Sequence, residues 1–407
     1  MIKKLSLLLF SLFLLCSHLL AQTKPYVILV SFDGFRWDYV SRGVSPNLDR
    51  IKQDGVWAMS LQPDFPSKTF PNHYSIVTGM YPENQGLIAN TFYDPHTGET
   101  YKISDSTQVR NGKWYLGEAF WQTADRNGII TASYFWPGSE IHPSYRRPDY
   151  FKHYVHSRPF EDRVSGVIDW MKLPYARRPR FITLYFEATD DAGHRYGPDS
   201  KQVNKAISKE DAMIGLLNKK LKAIGLADST DVIIVSDHGM TQISNKRVIN
   251  IQHILKNYDV MYQENGPFML IEPKDKDVTA VYQTLQKNRK HFKVFTKDNI
   301  PASYHYSKNP FISRIILIAD LGWSLVDNKS AARYEKIKVG GNHGYDNHEM
   351  DMNGVFMAYG PDFKKGSHTG TVRNIDIYPL LCKLFNIPGR SNIDGKLSNI
   401  EYVLKGY

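Results

Sequence analysis

Tyr26-Val27-Ile28-Leu29-Val30-Ser31-Phe32-Asp33-Gly34 sets the reading of the whole chain, because an almost unbroken apolar run ends abruptly in an acid and a glycine. A strand with one wet face alternates apolar and polar residues; this run does not, so it predicts a strand covered on both faces. Runs of the same kind recur at residues 129–135, 181–186, 232–236 and 355–359. Helical periodicity fills the intervals at residues 160–171, 203–224 and 376–385. Strand alternating with helix predicts an α/β fold, a doubly wound and mainly parallel central sheet with helices on both faces. The rhythm changes over about 268–326, where short strands surround one helix near residues 278–290, and this stretch reads as a small inserted α+β subdomain.

Chemistry gathers where those runs end. Asp33 closes the first, Thr189-Asp190-Asp191-Ala192-Gly193-His194 follows the run at 181–186, Ser236-Asp237-His238-Gly239 ends the next, and Gly341-Asn342-His343-Gly344 precedes the last. In an open α/β sheet ligands bind at the carboxyl ends of the strands, so these side chains should meet in one crevice. Asp33, Asp190, His194, Asp237, His238 and His343 supply carboxylate oxygen and imidazole nitrogen, the donors that suit a pair of divalent ions. Each alone has an ordinary explanation, since Asp-Gly is a common turn and a lone histidine often packs in a core. Six in equivalent places, in a chain with 14 histidines, point instead to a shared site.

The segment from Phe65 to Tyr74 reads as a loop entering a helix, with Pro71 tolerated in the first turn and Thr69 at the N-terminus. Backbone N–H groups and the helix dipole favour an anion there, although a plain helix cap is equally consistent with this segment alone.

The chain has 407 residues, 42% hydrophobic and 23% charged, a balance that excludes disordered, collagenous and small disulfide-rich classes. A net charge of +10 favours anionic partners, but the basic groups are scattered over helical patterns and no nucleic-acid-binding motif occurs. Residues 1–21 carry Lys3 and Lys4, then an apolar run, then Ala21 before Gln22, the layout of a secretory signal peptide. The expectation is an exported protein, periplasmic or secreted, with a catalytic domain over 22–407. A lipoprotein anchor on Cys16 competes with this, against which stands the bulky Leu15. No later stretch approaches the ~18 to 20 apolar residues of a membrane span. Cleavage after Ala21 leaves Cys382 as the one remaining cysteine, placed in an apolar helical pattern and read as core.

Six segments in order carry a resemblance. Phe65-Pro66-Ser67-Lys68-Thr69-Phe70-Pro71-Asn72-His73-Tyr74, then Gly86-Leu87-Ile88-Ala89-Asn90-Thr91-Phe92-Tyr93-Asp94-Pro95, then Phe135-Trp136-Pro137-Gly138-Ser139, residues 190–198, residues 236–240 and Asn342-His343-Gly344 closely resemble the nucleotide pyrophosphatase/phosphodiesterase family of the alkaline phosphatase superfamily. The resemblance implies an alkaline phosphatase-like fold and two Zn2+ per chain. It implies that Asp190, His194 and His343 hold one ion, while Asp33, Asp237, His238 and the Thr69 oxygen hold the other. It also implies that Thr69 is the nucleophile, that Asn90 donates to a phosphate oxygen, and that Phe70, Tyr154 and Tyr185 form a slot for a nucleobase. His73 lies in the motif without being one of its ligands and reads as structural. The cysteine-rich modules and nuclease-like domain of animal members do not occur within these residues, so the expectation is a minimal catalytic domain.

The implied reaction is hydrolysis of nucleotide phosphodiester and pyrophosphate bonds, with nucleoside triphosphates, dinucleoside polyphosphates and nucleotide sugars as substrates and nucleoside 5'-monophosphates as products. A phosphomonoesterase or a phospholipid-headgroup phosphodiesterase of the same superfamily would share the metals. The monoesterase needs extra cations over the terminal phosphate oxygens, for which Lys68 is the nearest candidate.

Overall fold

The computed structural model describes residues 25–274 and 277–406; the leader reading of residues 1–21, with Cys16, lies outside them. Among the described residues eight strands form the central sheet, in the order Ser367–Thr369, Val56–Ala58, Phe356–Tyr359, Thr230–Val235, Tyr26–Phe32, Phe181–Phe186, Thr131–Tyr134, Tyr150–Lys152. Tyr26–Phe32 sits inside it, parallel to Phe181–Phe186 on one side and to Thr230–Val235 on the other. Phe356–Tyr359 runs antiparallel to both of its neighbours.

The absence of alternation in the first strand has a direct cause. Val27 and Leu29 enter one core, with Val77, Ile88 and Leu380, while Ile28, Val30 and Phe32 enter another, with Val164, Ile207 and Leu217. Helices Phe160–Met171 and Lys201–Ala223 therefore cover one face, and Thr69–Thr78 and Ile377–Leu384 the other. Every residue of the strand is buried, each large apolar one contributing about 1.5–3 kcal/mol of transfer free energy. The long helix starts earlier than its apolar period suggests because the Ser200 side chain accepts from Val203 N, a polar cap that apolar spacing does not register.

A second, antiparallel sheet contains Val260–Gln263, Phe268–Pro273, Ile315–Ala319 and Phe292–Thr296, in that order, with helix Val278–Lys287 packed through Val281 and Leu285. It begins before the change of rhythm at residue 268, because Val260–Gln263 is half-exposed at its middle and shows no apolar run. Cys382 is buried on helix Ile377–Leu384, and burial pushes its thiol up to about 12, so it stays protonated. Among the described residues no helix is long and apolar enough to cross a membrane.

Candidate active site

Four segments deliver their polar side chains to the carboxyl end of the central sheet. Asp33 follows the first strand, and its N–H continues the ladder to Phe186 O at 2.8 Å. Phe181–Phe186 leads into helix Ala188–Tyr196, on which Asp190 and His194 stand one turn apart on the same face. That helix is tied back to the first strand by Thr189 Oγ1, which donates to Asp33 O at 2.7 Å. Asp237 and His238 follow Thr230–Val235, where Asp237 Oδ1 accepts from Gly34 N at 3.2 Å. His343 comes after Gly340–Asn342, a strand that must lie close to the helix: a Cβ on Gly341 would sit 2.5 Å from Gly193 O.

These side chains form two triads, Asp190, His194 and His343 in one and Asp33, Asp237 and His238 in the other. Within each, the ligand atoms lie within 4.8 Å of one another. The second triad is fully buried. All three imidazoles are set in the same way. His194 Nδ1 faces Gly341 O at 3.0 Å, His238 Nδ1 faces Gly239 O at 2.9 Å and His343 Nδ1 faces Ser67 O at 2.8 Å. A carbonyl only accepts, so each ring carries a proton on Nδ1 and turns Nε2 inward, the orientation of metal-ligating histidines.

The carboxylates also fit cations. Asp33 Oδ1, Asp190 Oδ1 and Asp237 Oδ2 are buried and accept no hydrogen bond, an expensive state for a carboxylate oxygen unless a cation meets it. The facing Nε2 of His238 is 3.4 Å from Asp33 Oδ1 and 2.9 Å from Asp237 Oδ2, spacings suited to neighbouring ligands of one ion. Burial, then the charges of Asp237 and Asp190, push the Asp33 carboxyl well above its ordinary range. For Asp237 burial acts upward too, but His238 and His73 outweigh it and hold the group well below its usual range. Burial and the nearby His238 and His194 drive His343 well below an ordinary imidazole. By itself the protein thus crowds three acids and three imidazoles, and the donor set suits two divalent ions.

Thr69 opens helix Thr69–Thr78, and its Oγ1 lies 3.2 Å from His238 Nε2. The helix N-terminus offers an anion less than its position suggests. Phe70 N donates to Asn90 Oδ1 at 3.1 Å, Asn72 N to Lys68 O at 3.1 Å, and Pro71 has no N–H. Because the Asn90 oxygen is occupied by the helix, its NH2 group is the end left to donate. Lys68 turns away toward Glu264, 3.8 Å from its carboxylate, with both side chains 8% exposed.

Beside Thr69 lies a cavity of about 430 Å³ whose walls include Phe70, Trp136, Pro137, Tyr154 and Tyr185. The Tyr154 and Tyr185 rings are 6.0 Å apart. Tyr154 is 44% exposed at the rim. Tyr185 belongs to wall and ligand shell alike, because its hydroxyl donates to Asp33 Oδ2 at 2.5 Å. Two further residues emerge only from the fold. His73, one turn after Thr69, has Nδ1 2.9 Å from Thr69 O and 3.3 Å from Asp237 Oδ2, linking the start of that helix to the buried triad. Trp136 Nε1 donates to His73 O at 3.0 Å, so this wall of the cavity is anchored to the same helix. The i, i+4 spacing of Thr69 and His73 was the one available signal for the first.

Residues 27–346 match the family model of type I phosphodiesterase/nucleotide pyrophosphatase. The chain is 38% identical over 395 residues to ectonucleotide pyrophosphatase/phosphodiesterase family member 1 of Homo sapiens, covering 94% of this chain and 42% of that protein. It is 37% identical to a bis(5'-adenosyl)-triphosphatase of Xenopus laevis, with 94% and 82% covered. The chain thus spans less than half of the human relative and most of the amphibian one. Among solved structures, an inactive variant of murine ectonucleotide pyrophosphatase/phosphodiesterase 5 in complex with AMP superposes with a TM-score of 0.87 at 34% identity, over 93% of this chain and 100% of that one. The match runs through the first strand, the helix that Thr69 opens and both triads, and the chain belongs to the type I phosphodiesterase/nucleotide pyrophosphatase family.

Proposed function

We propose that the chain hydrolyses nucleotide phosphodiester and pyrophosphate bonds and releases nucleoside 5'-monophosphates by way of a nucleotidyl ester on Thr69. One observation carries this reading: Thr69 Oγ1 stands against His238 Nε2, beside both buried triads and at the wall of an aromatic cavity. Asp190, His194 and His343 would hold one divalent ion and Asp33, Asp237 and His238, with Thr69, the other, both proposed as zinc. Bound there, the ions supply Lewis acidity and a lowered pKa for hydroxyl groups.

The protein's own groups do the rest. Thr69 gives up its hydroxyl proton to solvent and its Oγ forms a bond to phosphorus as the bond to the opposite, leaving oxygen breaks; pyrophosphate, a second nucleotide, a sugar phosphate or an alcohol departs. The Asn90 NH2 donates to a non-bridging oxygen, where charge builds in the transition state. Phe70, Tyr185 and Tyr154 take the base and hold the phosphorus in line with the hydroxyl. Water then cleaves the Thr69 ester and the nucleoside monophosphate leaves. Nucleoside triphosphates, dinucleoside polyphosphates and nucleotide sugars fit this scheme. The amphibian relative's name and the AMP in the murine complex support a nucleotide at this site. Export of the protein is proposed from the leader layout of residues 1–21 and from relatives named as ectoenzymes. Lys68, the nearest candidate for the extra cation that the monoester reading needs, is paired with Glu264, which supports the diester reading.

The test is nitrophenol release from p-nitrophenyl thymidine 5'-monophosphate and from p-nitrophenyl phosphate, with chelation and zinc restoration. The expected result is a strong, chelator-sensitive preference for the nucleotide diester. Preference for the monoester would move the protein to the phosphatase branch and leave the aromatic wall as packing. Phe70→Ala is expected to lower kcat/KM for the nucleotide diester about 5- to 150-fold, from the ~1–3 kcal/mol of base–aromatic stacking. Bis(p-nitrophenyl) phosphate, which has no base, should lose far less; equal losses on the two substrates would remove the stacking role.

A further inference from the structure

The connection at residues 263–266, in the smaller sheet, reaches the active site on two sides. On the first, Glu264 Oε1 accepts from Thr91 N at 2.6 Å and Gln263 Oε1 from Tyr93 N at 2.5 Å, so the segment that carries Asn90 is held from the smaller sheet. The other carboxylate oxygen of Glu264 faces Lys68, the residue immediately before Thr69. On the second side, Tyr334 OH donates to Asn265 Oδ1 at 3.1 Å and accepts from Asn342 Nδ2 at 3.2 Å, while Asn342 Oδ1 accepts from His343 N at 3.0 Å.

Glu264 is in the left-handed region, φ 58°, which a residue with a side chain adopts when its surroundings hold it there. A buried ion pair is weak evidence of stabilisation, and this one is combined with an unfavourable backbone. What it does accomplish is geometric: a single carboxylate joins the Asn90 segment to the start of the nucleophile helix.

We propose that Glu264 is a positioning residue for the reaction. By binding the Thr91 amide and Lys68 at once, it fixes the Asn90 NH2 beside the Thr69 hydroxyl. The proposal rests on the roles given above to Thr69 and Asn90.

The experiment is a double-mutant cycle on the purified full chain with p-nitrophenyl thymidine 5'-monophosphate. Glu264→Ala is expected to lower kcat about 10- to 100-fold, less than the ~10²- to 10³-fold cost of removing a transition-state donor because the donor is misplaced rather than lost, with KM within about threefold and bound metal unchanged. In an Asn90→Ala background the same change should cost less than about threefold more, because the two act as a unit. Glu264→Gln keeps an acceptor for Thr91 N but turns an NH2 toward Lys68, and should recover part of kcat, to a value between the Ala variant and the wild type. Losses that multiply in the double variant, or a Gln variant as slow as the Ala one, would overturn the proposal. Should Glu264→Ala not fold, Glu264→Asp, which withdraws the carboxylate, takes its place in the cycle with the same expectation. If the wild type turns over no nucleotide diester, the functional reading fails separately, and hydrogen exchange decides the tether. Faster exchange over residues 90–93 in the variant than in the wild type supports it; equal exchange overturns it.

Discussion

Thr69→Ala is expected to lower turnover of a nucleotide diester by about 10⁴-fold or more, the scale seen when a covalent nucleophile is removed, while both metal ions stay bound. The residue sits at the first position of its helix, where alanine fits, and the helix remains anchored by Asn72, whose side chain bonds Pro66 O and Lys68 O. The loss is therefore chemical rather than structural. Metal content is expected to hold because all six carboxylate and imidazole ligands survive, with only one oxygen removed from the second triad. Steady-state kinetics with metal analysis of the same preparation measures both. A rate near wild type would require another nucleophile, and metal loss would mean that Thr69 contributes more to binding than to reaction.

The second large effect belongs to His343→Ala. Its Nε2 completes the triad with Asp190 and His194, both only partly buried, and without it two ligands remain near the surface. Bound zinc is expected to fall from two ions toward one per chain, and kcat/KM by at least about 100-fold, since even outer-shell metal contacts cost 10–100-fold. The ion at Asp33, Asp237 and His238 should persist, although His238 loses a ring stacked at 3.4 Å between centroids. Equilibrium dialysis followed by metal analysis checks the stoichiometry. Two tightly bound ions in the variant would remove His343 from the ligand set. Loss of both would show that the triads load cooperatively, through that stacked pair.

The central sheet was legible because its strands are buried on both faces, which removes alternation and leaves solid apolar runs such as Tyr26–Phe32. Five of the six acids and imidazoles were legible because they follow those runs, so chain order alone places them at one end of the sheet; His343 precedes the last run, and the strand Gly340–Asn342 that delivers it was not read from the sequence. Val260–Gln263 was not: a half-exposed strand of mixed character has no period to read. His73 reads as structural from the sequence, but its partners, Thr69 O and Asp237 Oδ2, become neighbours only when the helix that Thr69 opens docks beside a strand far away in sequence.

By itself, then, the sequence determined the layering of the fold and the identity of the metal-ligand candidates, since both follow from apolar period and from position along the chain. Only the tertiary structure decided how those residues are used. It turned the Tyr185 hydroxyl onto Asp33, directed Lys68 to Glu264 instead of outward, and occupied the Phe70 amide with Asn90. Each of these depends on the direction of a side chain across a long-range contact. Local sequence carries no information about that direction, because it is set by which polar groups a segment distant in the chain brings within reach.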